Sequence, residues 1–96
     1  MISNNVKTKW AKKETVLNSF LSIANPFTAE IMSEQGYDAL TIDHQHGMIA
    51  FNDVLAMLQS IRSSGVTPIC RVSGLDHSVI SKVMDAGALG VICPMI

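Results

Sequence analysis

Charged side chains are scarce in this sequence. Asp, Glu, Lys and Arg together make up 16% of its 96 residues, whereas apolar residues make up 48%. An average globular domain has roughly 25% charged residues, and a chain this short exposes so much surface that it needs more polar cover. The composition therefore predicts apolar surface that meets further polypeptide or a partner subunit.

An excess of positive charge is also missing. The formal net charge is −1, which gives no electrostatic footprint for nucleic acid. The basic residues that do cluster lie near the N-terminus, at Lys7, Lys9, Lys12 and Lys13. A solvated leader is the commoner explanation of such a run, so the pattern favours a leader over a binding patch. We expect no nucleic-acid partner.

The sequence has only two cysteines, Cys70 and Cys93, and both lie in apolar runs without C-x-x-C spacing. Free buried thiols are therefore favoured over a disulfide or a metal site, which fits a reducing cytoplasm. No apolar run reaches the 18 or more residues of a membrane span. Charges continue through Glu14, so the N-terminus lacks the apolar core of a signal peptide. These absences predict a cytoplasmic protein without a membrane partner.

What the sequence does contain is a regular alternation of strand and helix signals. After a polar segment or helix at residues 1–15, four apolar runs are typical of strands, at residues 16–23, 37–42, 66–71 and 88–93. Strands separated by helices of this length pair in parallel through right-handed crossovers. The pattern predicts an α/β fold, the N-terminal half of a (β/α)8 barrel, with residues 16–96 forming the partial barrel, truncated after strand four.

Helix boundaries can be assigned from caps and glycines. Asn25-Pro26 predicts a helix start, with Ala29, Ile31 and Met32 on the buried face and Phe27 as a further candidate for it. The cap candidates of the next two helices are Asn52 or Asp53, and then Asp76. Gly36, Gly65 and Gly87 are placed to end the three helices.

In such barrels the reactive groups lie where the strands end. The second strand is followed by Asp43-His44-Gln45-His46-Gly47. A histidine there can act as a general base, although a hydrogen-bonded loop histidine fits the spacing equally well. His44 and His46 could share a metal ion if the segment is extended, but no third ligand is evident nearby.

Arg71 ends an apolar strand, where its charge needs an anionic partner. A substrate carboxylate is favoured, and a salt bridge to a protein carboxylate such as Asp43 is the alternative. Asp85 lies near the end of the third helix, where its charge opposes the helix dipole. A solvated Asp85 is favoured, and the alternative suggested by this unfavourable placement is a contact with the His46 imidazole. His77 is interpreted as a surface residue.

Three segments resemble one known family in order and spacing. They are NPFTAEIMSEQGYDALTIDHQHG, GVTPICRVSG and KVMDAGALGVICPMI, and they cover about three quarters of the chain. The last is similar to the signature L-D-x-G-A-x-G-ϕ-ϕ-x-P-M-ϕ, where ϕ is apolar. The sequence thus resembles the HpcH/HpaI aldolases, the class II 2-oxo-acid aldolases of the phosphoenolpyruvate/pyruvate barrel superfamily.

The resemblance implies roles for three residues. His46 matches the family's catalytic histidine, Arg71 the arginine that binds the oxo acid and its enolate, and Asp85 the aspartate that partners the histidine. It also implies a divalent metal (Mg²⁺, Mn²⁺ or Co²⁺) as a Lewis acid. Its carboxylate ligands are expected beyond this chain, so no residue here is assigned to metal. Gln45 stands where many relatives have glutamate.

The implied function is that of a metal-dependent aldolase, a carbon–carbon lyase that cleaves 4-hydroxy-2-oxo acids to pyruvate (or a related 2-oxo acid) and an aldehyde. This chain would be a fragment of it, whose own activity is open. One alternative is a citrate-lyase-beta-like or malyl-thioester lyase on the same barrel, and another is a catalytically inactive half-barrel. The family implies a homo-oligomer, a trimer or hexamer.

Overall fold

Four helices and four strands alternate along the chain in a computed structural model that describes residues 3–95. The helices are α1 (Asn5–Ala11), α2 (Pro26–Ser33), α3 (Phe51–Ile61) and α4 (His77–Asp85). The strands are β1 (Asn18–Leu21), β2 (Ala39–Asp43), β3 (Thr67–Arg71) and β4 (Gly90–Ile92). Each of α2, α3 and α4 connects two successive strands.

The strands form one sheet in the order β1-β2-β3-β4, and every neighbouring pair is parallel. The register aligns Asn18 with Ala39, Ala39 with Thr67, and Ile69 with Gly90. Sequential parallel strands with a helical crossover after each one make the first half of a (β/α)8 barrel. The α/β fold predicted from the sequence is confirmed.

The core lies between the sheet and the crossover helices. All five residues of β2 are buried, as expected for a parallel strand covered on both faces. Helix α3 buries a stripe at i, i+3, i+4 and i+7, the periodicity of an amphipathic helix. The fully or almost fully buried apolar residues at the centre are Leu40, Ile42, Val54, Met57, Leu58, Ile61, Cys70, Val72 and Val83.

Two of the three predicted caps are confirmed. The Asn25 side chain accepts hydrogen bonds from the N–H groups of Phe27 and Thr28 at 2.8 and 3.1 Å, and the Asp76 side chain accepts one from Ser78 at 2.9 Å. The glycines that were expected to end the helices all have positive φ, at 93° for Gly36, 87° for Gly65 and 122° for Gly87.

The predicted start of α3 is wrong. The helix begins at Phe51 after an extended Ala50, so Asn52 and Asp53 lie inside its first turn. The Asp53 carboxylate nevertheless accepts a hydrogen bond from the Ala50 N–H at 2.9 Å, because an acidic side chain at the third helical position can fold back onto the cap.

Other boundaries and faces also differ from the prediction. Strands β1 and β4 are shorter than their apolar runs because ladder pairing covers only residues 18–21 and 90–92. Phe27 and Ile31 of α2 are exposed, whereas Ala29 is buried and Met32 packs against the core.

Helix α1 lies across the amino ends of the strands. The Val6 N–H donates to Thr67 Oγ1 at 3.3 Å, Asn5 donates to the Gly65 carbonyl, and Lys9 forms a 2.6 Å ion pair with Asp38. These bonds close one end of the curved sheet, so the opposite end, where the strands finish, is the open one.

The concave face of the sheet is a groove of about 550 Å³ lined by strand residues such as Thr41, Thr67 and Ile69, with Trp10 at its side. Within residues 3–95, β1 and β4 each pair with one strand only. No helix in this part of the chain is long and apolar enough to cross a membrane.

Candidate active site

The last residues of β2 and β3 place two opposite charges side by side. Asp43 ends β2, Arg71 ends β3, and the parallel register pairs them. Arg71 Nε donates to Asp43 Oδ1 at 3.1 Å and Arg71 Nη2 donates to Oδ2 at 2.7 Å. Such bidentate geometry is the strong form of an ion pair. The salt bridge that the sequence offered as the alternative partner for Arg71 is therefore present.

This pair is well sheltered from solvent. The Asp43 side chain is 5% exposed and that of Arg71 is 26% exposed. Hydrogen bonding from Arg71 holds the pKa of the Asp43 carboxyl well below its usual range, with further help from two backbone N–H groups and against the effect of burial. The same contact raises the pKa of Arg71. Both groups stay ionised at neutral pH.

Pairing with Asp43 leaves some N–H groups of the Arg71 guanidinium without a hydrogen-bond acceptor in the described residues. Arginine has five N–H groups in a rigid fork, and Asp43 accepts from two of them, at Nε and Nη2. Within the described residues, no hydrogen bond from the Arg71 side chain to another group is found. Three N–H groups, two of them on Nη1, can therefore meet a second anion, so a structural pair and a substrate-binding arginine are compatible.

One face of the guanidinium is covered by an aromatic ring. The central carbon of the Arg71 guanidinium lies 4.8 Å from the centroid of the Phe20 ring. Phe20 comes from β1, so the arginine side chain extends across β2 to reach it. Phe20 was not predicted from the sequence as a site residue. The strand register, which aligns Phe20 with Thr41 of β2, is what places it on this face.

The loop after β2 is folded around the Asp43 carboxylate. Asp43 Oδ1 accepts hydrogen bonds from the backbone N–H groups of Gln45 and His46 at 3.1 and 3.0 Å. Gly47 follows, and a Cβ there would collide with the Asp43 carbonyl oxygen. One carboxylate thus fixes both Arg71 and the backbone of His46, which brings these two predicted site residues to the same end of the sheet.

The two histidines of this loop differ in their surroundings. His44 Nδ1 is 2.7 Å from the Ile49 carbonyl oxygen, so His44 anchors the loop. The His46 side chain is exposed at the open end of the sheet. Residues 44–46 form a turn rather than an extended segment, so the geometry required for the two histidines to share an ion is not present.

Asp85 lies at the opposite end of the molecule. It is the last residue of α4, and a crossover helix ends beside the amino ends of the strands. It is exposed and lines a cavity of about 310 Å³ together with Arg62 and Pro68. Within one chain, the structure does not bring Asp85 to His46, and its role in catalysis stays a prediction.

The described residues do not form a metal site. Residues 3–95 contain no group of three His, Cys, Asp or Glu side chains that could hold an ion. Both Asp43 oxygens are engaged by Arg71. Both cysteines are free thiols, and burial raises the pKa of the Cys70 thiol to about 11, so it is no ready ligand or nucleophile. No step can be assigned to a metal ion held by these residues.

Known proteins share both the sequence and the fold. The hydroxypyruvate/pyruvate aldolase of Rhizorhabdus wittichii is 39% identical over 93 residues, which are 97% of this chain and 37% of that protein. The 4-hydroxy-2-oxovalerate aldolase of Novosphingobium aromaticivorans is 35% identical over 97% of this chain and 36% of its own length. The crystal structure of the citrate synthase SbnG superposes with a TM-score of 0.89 at 29% identity, covering 98% of this chain and 38% of that chain.

The chain therefore spans a little over a third of the length of the relatives it matches. The model of the HpcH/HpaI aldolase/citrate lyase family matches residues 17–96, which include β1 to β4, Asp43, His46 and Arg71. This match covers most of the chain, and the fold agrees with it. The chain belongs to the HpcH/HpaI aldolase/citrate lyase family.

Proposed function

We propose that this chain is part of an aldolase that cleaves 4-hydroxy-2-oxo acids into pyruvate, or a related 2-oxo acid, and an aldehyde. The observation that carries the proposal is the Arg71 guanidinium, held by Asp43 with three N–H groups unused, at the strand ends beside His46. Relatives named as hydroxypyruvate/pyruvate and 4-hydroxy-2-oxovalerate aldolases support the substrate class.

The reaction places three demands on the site. The proton of the 4-hydroxyl group must leave, so that the C4 oxygen forms the aldehyde carbonyl while the C3–C4 bond breaks. The electron pair of that bond then moves to the 2-oxo acid as an enolate, whose negative charge lies mainly on the C2 oxygen. Finally C3 must receive a proton, which gives back the methyl group of pyruvate.

His46, in the loop after β2, and Arg71, at the end of β3, suit these demands. An imidazole can accept the hydroxyl proton and return a proton to C3, since its ordinary pKa is near neutrality. The Arg71 guanidinium is fully charged and can donate to the C2 oxygen and the carboxylate of the oxo acid. Charge that develops against fixed donors is stabilised more than charge in water, because the donors need not reorganise.

Dependence on Mg²⁺, Mn²⁺ or Co²⁺ is proposed for the complete protein only. Such an ion supplies Lewis-acid polarisation of the oxo group when bound. The described residues form no metal site, so this proposal places the ligands of the ion outside them. Treatment with a chelator, followed by return of each ion, measures the dependence directly.

A citrate-forming or thioester-cleaving lyase is the second candidate. It is favoured by the superposition on the citrate synthase SbnG and by the family description, which includes citrate lyase. Both chemistries make or break a carbon–carbon bond next to a carbonyl group, so Arg71 and His46 would serve either one. The substrate distinguishes the two candidates.

The first test measures pyruvate release from 4-hydroxy-2-oxo acids by the complete protein to which this chain belongs, purified and with Mn²⁺ or Mg²⁺ present. We expect His46→Ala to lower kcat by about 100-fold or more, the usual contribution of a general base. His77→Ala is the matched control, because His77 is an exposed histidine at the start of α4. Equal loss in both variants, or release of no pyruvate by the wild type, would contradict the proposal.

A further inference from the structure

The Phe20 and Leu21 side chains lie on opposite faces of β1. Within the described residues Leu21 is 5% exposed and packs in the core, whereas Phe20 is 45% exposed. The Phe20 ring lies against the Arg71 guanidinium, whose central carbon is 4.8 Å from the ring centroid, across β2. An aromatic ring that lies against a charged group is placed to act on that group.

The two hydrogen bonds to Asp43 do not by themselves prevent the plane of the Arg71 guanidinium from tilting. The carboxylate holds the edge formed by Nε and Nη2, so the guanidinium plane can still tilt about that edge. A ring packed against one face of the plane opposes this tilt, because stacking and cation–π attraction both favour a fixed face-on contact. The corner that carries Nη1 then points away from Asp43 at a defined angle.

We propose that Phe20 is a positioning residue, which fixes the plane of the Arg71 guanidinium so that its unused N–H groups face the oxygens of the oxo acid. The inference rests on the proposed aldolase function, since it assumes that an oxo acid binds at Arg71. Donors held in place matter most where negative charge develops, so the effect of Phe20 falls on the enolate rather than on the bound substrate.

The test replaces Phe20 in the purified complete protein and compares catalysis with binding of oxalate, a planar dianion shaped like the enolate of pyruvate. For Phe20→Leu we expect oxalate to bind ~3- to 30-fold more weakly, the range of cation–π contacts. We expect kcat to fall by a similar factor, with KM changed much less. Phe20→Tyr and Phe20→Trp keep an aromatic face and retain affinity within about twofold.

The matched control is Phe27→Leu, the same substitution at an exposed phenylalanine of α2, which we expect to leave oxalate binding unchanged. In an Arg71→Ala background, Phe20→Leu should have no further effect, because its action passes through the guanidinium. If Phe20→Leu does not fold, as judged from its unfolding transition, Phe20→Met provides the same comparison.

Three results would overturn the inference alone: oxalate binding by Phe20→Leu equal to that of the wild type, equal losses in Phe20→Tyr and Phe20→Leu, or an undiminished effect without Arg71. Each requires a wild type that releases pyruvate and binds oxalate. A wild type that does neither refutes the proposed function and this inference with it. The two failures are therefore distinguishable.

Discussion

Asp43 does more than neutralise Arg71. Its carboxylate accepts hydrogen bonds from the Arg71 guanidinium and from the backbone N–H groups of Gln45 and His46. The carboxylate is therefore shared between the group that would bind an anion and the loop that carries the predicted base. A change in the charge of Asp43 should therefore affect both the position of the Arg71 guanidinium and the conformation of the loop that carries His46.

The Asp43→Asn variant tests how far the fold depends on the Asp43 charge, by the change in the free energy of unfolding and its variation with pH. The variant keeps the shape of the side chain but loses its charge, and we expect the free energy of unfolding at pH 7 to fall by about 1–3 kcal/mol. The folded-state pKa of Asp43 is depressed, so its contribution is complete above the pKa of the unfolded state, near 3.9, and is lost as the pH falls toward the lower folded value.

The difference in unfolding free energy between wild type and Asp43→Asn should accordingly shrink between pH 6 and pH 3, as measured by urea denaturation. Asp85→Asn is the control, because Asp85 is an exposed carboxylate whose replacement should change stability by no more than about 0.5 kcal/mol. A difference that stays constant over this pH range would show that the ion pair is not its source.

Gly47 sets the shape of the loop after β2. A Cβ at this position would collide with the Asp43 carbonyl oxygen and would contact the Ile49 side chain at 3.3 Å. We expect Gly47→Ala to open the turn, displace His46 and lower the free energy of unfolding by about 1–3 kcal/mol. The measurements are urea denaturation and the rate of pyruvate release.

Gly74→Ala is the matched control for Gly47→Ala. A Cβ at Gly74 meets no atom within 4 Å, and its φ lies outside the left-handed range. This control variant should therefore behave as the wild type in both measurements. If both glycine variants were equally stable and active, the loop would not depend on the close contact between Gly47 and Asp43.

The sequence identified part of this site and missed the rest for a geometric reason. Arg71 and the loop of His46 could be located because each follows a strand, and reactive groups lie at strand ends in barrels. Phe20 is 51 positions from Arg71 and touches it only because β1 and β3 lie on either side of β2. That contact depends on register and side-chain direction, which strand signals alone do not fix.

At the scale of elements, helix starts were predictable where a side chain could cap them. Asn25 and Asp76 carry oxygen acceptors and cap α2 and α4 as expected. Helix α3 begins after Ala50, which has no acceptor, so a search for capping side chains selected Asn52 or Asp53 instead. The direction of α4, antiparallel to the strands, likewise places Asp85 away from His46. The sequence had left a contact between the two residues open as the alternative to a solvated Asp85.

Ala50→Ser should stabilise the protein. Ala50 has the extended conformation of an N-cap residue, with φ −81° and ψ 167°, and a serine hydroxyl could accept a hydrogen bond from the Asp53 N–H while Asp53 still binds the Ala50 N–H. We expect a gain of about 0.5–1 kcal/mol in the free energy of unfolding, measured by urea denaturation. Ala50→Val adds no acceptor and should give no gain; an equal gain in both variants would refute the capping explanation.

At the scale of the whole molecule, the low content of charged residues corresponds to apolar surface that is exposed in particular places. Apolar side chains are exposed beside the open strand β1 and around the strand ends, among them Leu17, Ile23, Phe27 and Leu75. The groove on the concave face is lined largely by apolar residues. Surface of this kind, together with unpaired strand edges, marks places where protein meets protein.

We therefore expect residues 1–96, prepared on their own, to associate or to be marginally stable. Light scattering after size exclusion should give a mass above 10.4 kDa that rises with concentration. Ile92→Lys places a charge on the edge strand β4 and should reduce association, as charged edge residues do in natural sheets. Ile31→Lys changes an exposed isoleucine of α2 on the outer layer and should reduce it less. A monomer with a sharp unfolding transition, independent of concentration, would instead mean that four strands and their helices satisfy their own edges in solution.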